Sequence, residues 1–199
     1  MDEGYIKFNC EWIKAEPFSN EQIAELNRCR NLLYEMGLIG VYREDGEEIG
    51  FGNISIRIGA SNQFIVSGTQ TGGIAELNQF HYTKVIEGDF DRNYLQCEGP
   101  IKASSESLTH LAIYQADSTV NAIIHTHHQK LWKQLLNQVP TTRPDIPYGT
   151  PEMAREIFRL FKETQVKKEK LLVMAGHQDG IIAFGDNLTE AYQHFLAIL

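Results

Sequence analysis

The sequence predicts an α/β fold in which helices flank a mixed or antiparallel sheet. Apolar runs of strand length are interspersed with segments of helical spacing, without the strict strand–helix alternation of a parallel sheet. With 199 residues, of which 42% are apolar, the chain has the size and composition of a single globular domain spanning residues 1–199.

The elements are predicted in chain order. Residues 1–18 look irregular. Ser19-Asn20-Glu21-Gln22 has the pattern of a capping box, and the helix that follows ends near Gly37. The remaining predicted elements are strands at 53–58, 64–66, 120–124, 171–174 and 181–184, and helices at 104–115, 151–164 and 187–199.

Composition excludes several classes of protein. A net charge of -8 argues against nucleic-acid binding, which requires clustered Lys and Arg. No apolar run approaches the roughly 18 residues of a membrane helix, and no secretory signal begins the chain, so we expect a cytoplasmic protein without a membrane partner. Three scattered cysteines argue against disulfides and thiolate metal ligation.

Three of the seven histidines lie together in the segment Ile124-His125-Thr126-His127-His128. Successive side chains of a strand point to opposite faces, so His125 and His127 project from the same side. Two imidazoles on one face can reach a single ion, whereas a lone buried histidine is usually a hydrogen-bonded core residue. We therefore predict that His125 and His127 are metal ligands.

A catalytic zinc site needs a third protein ligand and one open position. His177 is the best candidate, because it follows the apolar strand 171–174 in a turn of small residues. His81, in a loop, and His110, in the middle of a predicted helix, are weaker candidates, and His194 on the terminal helix is expected to be a surface or packing residue. Nitrogen ligation favours Zn²⁺, and other divalent transition metals also bind such donors.

Three segments rich in small residues and hydroxyls are candidates for an anion site: residues 52–55, 67–69 and 103–106. The last begins a predicted helix, whose free backbone N–H groups attract an anion, although a serine there is also an ordinary helix cap. Glu106 lies in the first turn of this helix. Its carboxylate either stabilises the helix dipole or acts near the metal, and the residues alone leave both interpretations open.

Taken together, these motifs resemble the class II aldolase/adducin family. The resemblance covers about residues 20–195, and the motifs occur in the family's order: Gly52-Asn53-Ile54-Ser55, Ser67-Gly68, Ser104-Ser105-Glu106, His125-Thr126-His127, His177, and the helix start Asn187-Leu188-Thr189-Glu190-Ala191.

The resemblance implies a three-layer αβα sandwich around a mixed, largely antiparallel sheet, assembled as a homotetramer with active sites between subunits. It implies zinc bound by His125, His127 and His177, with Glu106 shuttling a proton. A small sugar-phosphate substrate is implied, and in the family's aldolases the metal stabilises the enediolate left by carbon–carbon cleavage. Six residues would hold the phosphate: Gly52, Asn53, Ser67, Gly68, Ser104 and Ser105.

The sequence departs from the family pattern in two places. The family commonly has histidine and glycine adjacent, whereas Gln178 and Asp179 separate His177 from Gly180. We therefore expect a different turn at the third ligand. Family enzymes often carry a tail beyond the last helix with a tyrosine that reaches a neighbouring site, and this chain stops at Leu199.

Residues 141–150 resemble the segment that supplies a catalytic aspartate in the family's pentulose-phosphate 4-epimerases, which makes Asp145 a candidate catalytic residue. A turn aspartate between prolines is the alternative interpretation. The leading expectation is a zinc-dependent aldolase that cleaves a small phosphorylated ketose. The alternatives are a 4-epimerase or methylthioribulose-phosphate dehydratase on the same metal site, and a non-catalytic adducin-like assembly domain.

Overall fold

The computed structural model describes residues 4–44 and 46–199, in which an eight-stranded sheet is flanked by helices and accompanied by a two-stranded hairpin. The strands are β1 (Asn9–Lys14), β2 (Gly40–Glu44), β3 (Glu47–Phe51), β4 (Asn53–Arg57), β5 (Phe64–Ser67), β6 (Tyr82–Asp89), β7 (Tyr94–Gly99), β8 (Ala122–His127), β9 (Leu171–Val173) and β10 (Gly180–Gly185). The α-helices are α1 (Asn20–Glu35), α2 (Ser107–Ala116), α3 (Gln129–Leu135), α4 (Pro151–Glu163), α5 (Val166–Glu169) and α6 (Leu188–Leu196).

The large sheet has the strand order β1-β7-β6-β5-β4-β8-β10-β9. Its strands pair antiparallel except for β1 and β7, which are parallel. The predicted α/β class with a mixed, largely antiparallel sheet is therefore confirmed. In the part of the chain that the structure describes, no helix is long and apolar enough to cross a bilayer.

Each face of the sheet buries its own core, and strand alternation decides which side chains enter which core. Along β8, Ile123 packs with residues of α2 and α4, whereas Ala122 and Ile124 pack with residues of α1 and α6. Each fully buried aliphatic side chain of this kind contributes about 1.5–3 kcal/mol to folding. Because each face of the sheet is covered by helices, the domain has three layers, and β8 lies in the central layer.

The N-terminal segment differs from the prediction. Residues 1–18 were expected to be irregular, and this is wrong for Asn9–Lys14, which form β1 at the sheet edge. The polar residues Glu11 and Lys14 hide the alternation that places Cys10 and Trp12 against the core. Polar and charged side chains are common on edge strands, where they discourage pairing with other chains.

The β-sheet register brings three chain segments to one end of β8. Asn53, at the start of β4, is opposite His125, and Gly180, at the start of β10, is opposite His127. Because β4 and β10 both run antiparallel to β8, they begin where β8 ends. The residues just before β10 therefore lie beside the histidines of β8.

Glu156 on α4 ties the segment after α3 to the helical layer. Its fully buried carboxylate accepts a hydrogen bond from Arg143 N at 2.9 Å and pairs with Arg159 at 2.6 Å and with the Arg143 guanidinium at 3.0 Å. Burial by itself raises the pKa of Glu156, but the hydrogen bonds from Arg159 and from the Arg143 backbone outweigh it. The pKa of Glu156 consequently lies below its ordinary value.

We expect Glu156→Gln to lower the free energy of unfolding at pH 7 by about 1.5–3 kcal/mol, the range for hydrogen bonds to charged groups. A lowered native pKa stabilises the fold above the unfolded glutamate pKa of about 4.3, and that stabilisation is lost as the pH falls. Urea unfolding at pH 7 and pH 3 should show the difference from wild type shrinking in acid. Glu152→Gln, on the exposed side of α4, is the control. A difference independent of pH would contradict the role of the ionised carboxylate.

Candidate metal centre and substrate pocket

His125 and His127 lie on the same face of β8, as the strand pattern predicts. They belong to the same face as Ile123, while Thr126 points to the other. The two Nε2 atoms are 3.1 Å apart, and the side chains are 1% and 4% exposed, respectively. Two neighbouring positions of one strand thus direct their ring nitrogens at a common point.

His177 joins this pair from the turn that precedes β10. Its amide donates to Met174 O at 3.2 Å, and its carbonyl accepts from Gly180 N at 3.0 Å, which closes the turn across the inserted Gln178 and Asp179. The His177 ring centroid is 5.0 Å from that of His125 and 4.6 Å from that of His127. The ring of Tyr148 stacks on the His177 imidazole with centroids 4.4 Å apart.

The three histidines form a donor set that suits a divalent metal. One ligand atom from each residue can be chosen so that all lie within 4.8 Å of one another, and all three side chains are buried. His125 Nδ1 lies 3.3 Å from the carbonyl oxygen of Ile181, which can only accept, so His125 Nε2 carries a lone pair. Burial, followed by the neighbouring His177 and His125, lowers the pKa of His127 well below its ordinary value. Neutral, buried imidazoles are the form that binds zinc.

Glu106 lies immediately beside the histidines. It is the N-cap residue of α2, which begins at Ser107 rather than at Ser104, and its side chain is 1% exposed. One carboxylate oxygen, Oε1, is 3.0 Å from His177 Nδ1. Burial raises the pKa of Glu106, but the interactions with His177 and then with His125 outweigh it and lower the pKa below its ordinary value. The carboxylate is therefore ionised at neutral pH.

A small polar pocket opens beside Glu106 and gathers five of the six residues predicted to hold a phosphate. The sixth, Ser67, does not line this pocket, and its hydroxyl accepts a hydrogen bond from Ile54 N at 3.2 Å. The lining residues are Gly4, Gly50, Gly52, Asn53, Gly68, Thr69, Gln70, Thr71, Gly72, Ser104, Ser105 and Glu106.

The pocket is made almost entirely of small and neutral residues, and its glycines allow the backbones to approach closely. A Cβ at Gly72 would lie 2.4 Å from Gly40 O, and one at Gly68 would lie 2.6 Å from the Ile101 side chain. Arg30, 1% exposed, stiffens the wall by donating to the carbonyl oxygens of Thr71, Gly72 and Ala75. The guanidinium therefore stabilises the loop of residues 71–75 and does not itself line the pocket.

The other sequence candidates lie outside this cluster. Asp145 occupies an exposed turn, although Tyr148 from the same segment contacts His177. His110 is buried on α2 with Nδ1 2.8 Å from Ser55 Oγ, and burial lowers its pKa to about 3. His81 accepts from Asn78 N in a 3-10 turn, and His194 lies on α6 beside Glu190.

The structure adds residues that sequence reasoning did not select. Tyr42, on the β2–β3 hairpin, has its hydroxyl 3.0 Å from His127 Nδ1 and 3.5 Å from Asp179 Oδ2. Asp45-Gly46 is a hairpin signal that would have predicted β2 and β3, but nothing local in the sequence connects Tyr42 to His127. Gly4 and Gln70 also lie in the pocket wall and contact each other through a hydrogen bond of 3.0 Å.

The described residues thus form an αβα domain with a buried histidine triad beside a carboxylate, a donor set that suits a divalent metal. Residues 39–198 match the family described as "Class II Aldolase and Adducin N-terminal domain", and the chain belongs to this family.

The comparisons with individual proteins agree with this assignment. The chain is 27% identical over 154 residues to an L-fuculose phosphate aldolase of Methanocaldococcus jannaschii, covering 71% of this chain and 76% of the relative. The structure of L-fuculose-1-phosphate aldolase from Thermus thermophilus matches with a TM-score of 0.62 at 21% identity, covering 90% of each chain. A sugar-phosphate aldolase from Thermotoga maritima matches with a TM-score of 0.66 at 17% identity, again covering 90% of each chain. These structural matches show the shared fold.

We predict that the purified protein contains about one zinc ion per chain, as expected for a three-histidine site. His125→Ala or His127→Ala should abolish the bound metal, because each removes one of three ligands. Elemental analysis by mass spectrometry measures the metal content. The matched control is His194→Ala, which removes a histidine remote from the triad and should leave the metal content unchanged. A metal-free wild type would favour the non-catalytic assembly role.

Proposed function

We propose that the protein is a zinc-dependent lyase that cleaves a small phosphorylated ketose by a retro-aldol reaction. The observation that carries this proposal is the convergence of three buried histidines beside Glu106, whose carboxylate is 3.0 Å from His177 and also lines a pocket of small residues. The naming of relatives as L-fuculose phosphate aldolases supports the same reaction class.

We assign the phosphate of the substrate to this pocket because of the chemistry of its lining. The protein carries a net charge of -8, so its overall field repels an anion, and local donors must capture it. Ser104 and Ser105 directly precede the N-cap of α2, close to the helix end at which backbone N–H groups and the helix dipole favour negative charge. Asn53 contributes a buried amide whose Oδ1 has no hydrogen-bond partner among the described residues, which leaves it available to a substrate hydroxyl.

The chemistry divides between the metal and Glu106. A divalent ion held by His125, His127 and His177 would supply a Lewis acid that polarises the ketose carbonyl. Cleavage removes the proton from the hydroxyl on the departing carbon as that carbon becomes the aldehyde, and it leaves the bonding electrons on the fragment that contained the carbonyl. An ionised carboxylate would accept the hydroxyl proton and then return it to that fragment. Glu106 is the residue that we assign to this proton exchange, because its ionised carboxylate is buried next to His177.

Burial of the site favours the proposed reaction, because it keeps water away from the charged groups. The Glu106 and His125 side chains are each 1% exposed, so bulk water has little access to the charged groups. In such an environment, electrostatic interactions are stronger. A substrate that displaces the remaining water and brings a negative phosphate close to Glu106 would raise the pKa of the carboxylate. We further propose a single domain, a cytoplasmic location and a homotetramer with active sites between subunits.

The proposal is tested by screening ketose phosphates, beginning with L-fuculose 1-phosphate, for release of an aldehyde with and without a chelator. Activity should require the metal. Glu106→Gln should keep the zinc and lower kcat by at least about 100-fold, the lower range for general acid–base catalysis. Full activity of that variant would exclude the proton-exchange role, and a lack of aldehyde from every ketose phosphate would exclude the lyase.

Asp145→Asn separates the aldolase from the 4-epimerase alternative. The aspartate is exposed on its turn in the single chain, and the proposed aldol cleavage does not use it. We expect the variant to retain aldehyde-releasing activity within about twofold, whereas loss of a catalytic acid or base typically costs at least about 100-fold. Parallel assays of aldehyde release and of pentulose-phosphate epimerisation measure both activities. An epimerase activity that disappears in the variant would favour the alternative.

A further inference from the structure

The β2–β3 hairpin reaches the metal centre from outside the main sheet. Tyr42 of β2 places its hydroxyl 3.0 Å from His127 Nδ1, and Phe51 of β3 stacks on the His127 ring with centroids 5.2 Å apart and planes at 26°. The Tyr42 and Phe51 rings contact each other, with centroids 4.4 Å apart. The hairpin therefore holds one ring against the face of the imidazole and one hydroxyl against its Nδ1 atom.

Asp179 completes a chain of polar contacts behind His127. It comes from the two-residue insertion after His177, has φ of 65°, and is 6% exposed. Aspartate adopts this left-handed conformation more readily than most residues. Its carbonyl accepts from His128 N at 3.0 Å, and its Oδ2 accepts from the Tyr42 hydroxyl at 3.5 Å. The backbone hydrogen bond from His128 to Asp179 therefore holds the Asp179 carboxylate next to the end of β8.

The direction of these hydrogen bonds decides which nitrogen of His127 carries the proton. A carboxylate can only accept, so the Tyr42 O–H donates to Asp179 and the phenolic oxygen accepts from His127 Nδ1–H. Nε2 of His127 then carries a lone pair. The competing tautomer would have its proton on Nε2, where it could donate to His125 Nε2, 3.1 Å away. That tautomer cannot bind a metal through Nε2.

We propose that Tyr42 and Asp179 are positioning residues that hold His127 in the tautomer and orientation required of a metal ligand. This inference rests on the proposed function, because it assumes that the histidine triad binds a metal. Tyr42 acts through His127, since its hydroxyl faces Nδ1 and not the Nε2 atom that points at His125. The insertion after His177 supplies the carboxylate of this chain of contacts. Groups of this kind orient histidine ligands and raise their affinity for metal.

Zinc affinity of the purified protein, measured by competition with a chromophoric chelator, tests the proposal. Tyr42→Phe keeps the ring on Phe51 but removes the hydroxyl, and it should weaken zinc binding by about 10- to 100-fold, the usual effect of losing such a partner. Asp179→Asn keeps a residue that tolerates the positive φ and should weaken binding less. In the Tyr42→Phe background, Asp179→Asn should have no further effect, because the two residues act in one chain of contacts.

Tyr34→Phe is the matched control, because it removes a hydroxyl that contacts Gly73 O on the exposed surface. Its zinc affinity should equal that of wild type. Nitrogen-15 NMR of the histidine side chains in the metal-free protein gives a second readout. His127 should be the Nδ1–H tautomer in wild type and shift toward Nε2–H in Tyr42→Phe, a change that a general loss of stability would not produce.

The outcomes are distinguishable. A wild-type protein that binds no zinc would overturn the proposed function together with this inference. A wild type that binds zinc, with a folded Tyr42→Phe variant of equal affinity and unchanged His127 tautomer, would overturn the positioning role alone.

Discussion

The antiparallel ladder that joins β8 to β4 and β10 is the constraint on which the candidate site depends. It places Asn53 opposite His125 and Gly180 opposite His127, so the ends of three elements meet at one point. Strand alternation then aims both β8 histidines to one face. A slip of one residue in this register would turn both imidazoles into the opposite layer, where Ala122 and Ile124 pack in an apolar core.

The electrostatics of the site follow from burial inside this frame. Imidazoles removed from water favour their neutral form, as the lowered pKa of His127 shows, and neutral imidazoles can ligate a metal. Glu106 remains ionised because His177 and His125 compensate the loss of hydration. The neighbouring pocket lacks a lining Lys or Arg among the described residues, so the acidic protein offers an anion hydroxyls and backbone amides instead.

Parts of the chain beyond the matched family range also shape the pocket. The family match covers residues 39–198, yet Gly4 lines the pocket and the Tyr5 amide donates to the Tyr148 hydroxyl at 3.2 Å. Tyr148 in turn stacks on His177. Pairing of β1 with β7 anchors this N-terminal segment, and Arg30 of α1 anchors the loop on the other side of the pocket. The site therefore depends on packing contributed by residues that carry no catalytic motif.

The sequence by itself determined the local features: the α/β class, five of the ten strands in the described residues, the cap of α1, and the placement of His125 and His127 on one face. These follow from periodicities of two and 3.6 residues and from side chains acting on their own backbone, as in the capping box at Ser19. The residues also selected His177 as the best third ligand, and the family resemblance favoured the proton-exchange interpretation of Glu106. The polar edge strand β1 escaped prediction because its burial depends on a neighbour 80 or more residues away along the chain.

Only the tertiary structure decided how the third histidine reaches the other two and what supports them. His177 lies 50 residues after His127, and the β8–β10 pairing closes that distance. The contact of Tyr42 with His127 and Asp179 joins three segments whose spacing has no local signature. Ser67 lies outside the pocket lining, and its hydroxyl accepts a hydrogen bond from Ile54 N. Long-range register and packing set these contacts, because a short sequence pattern constrains only its own backbone.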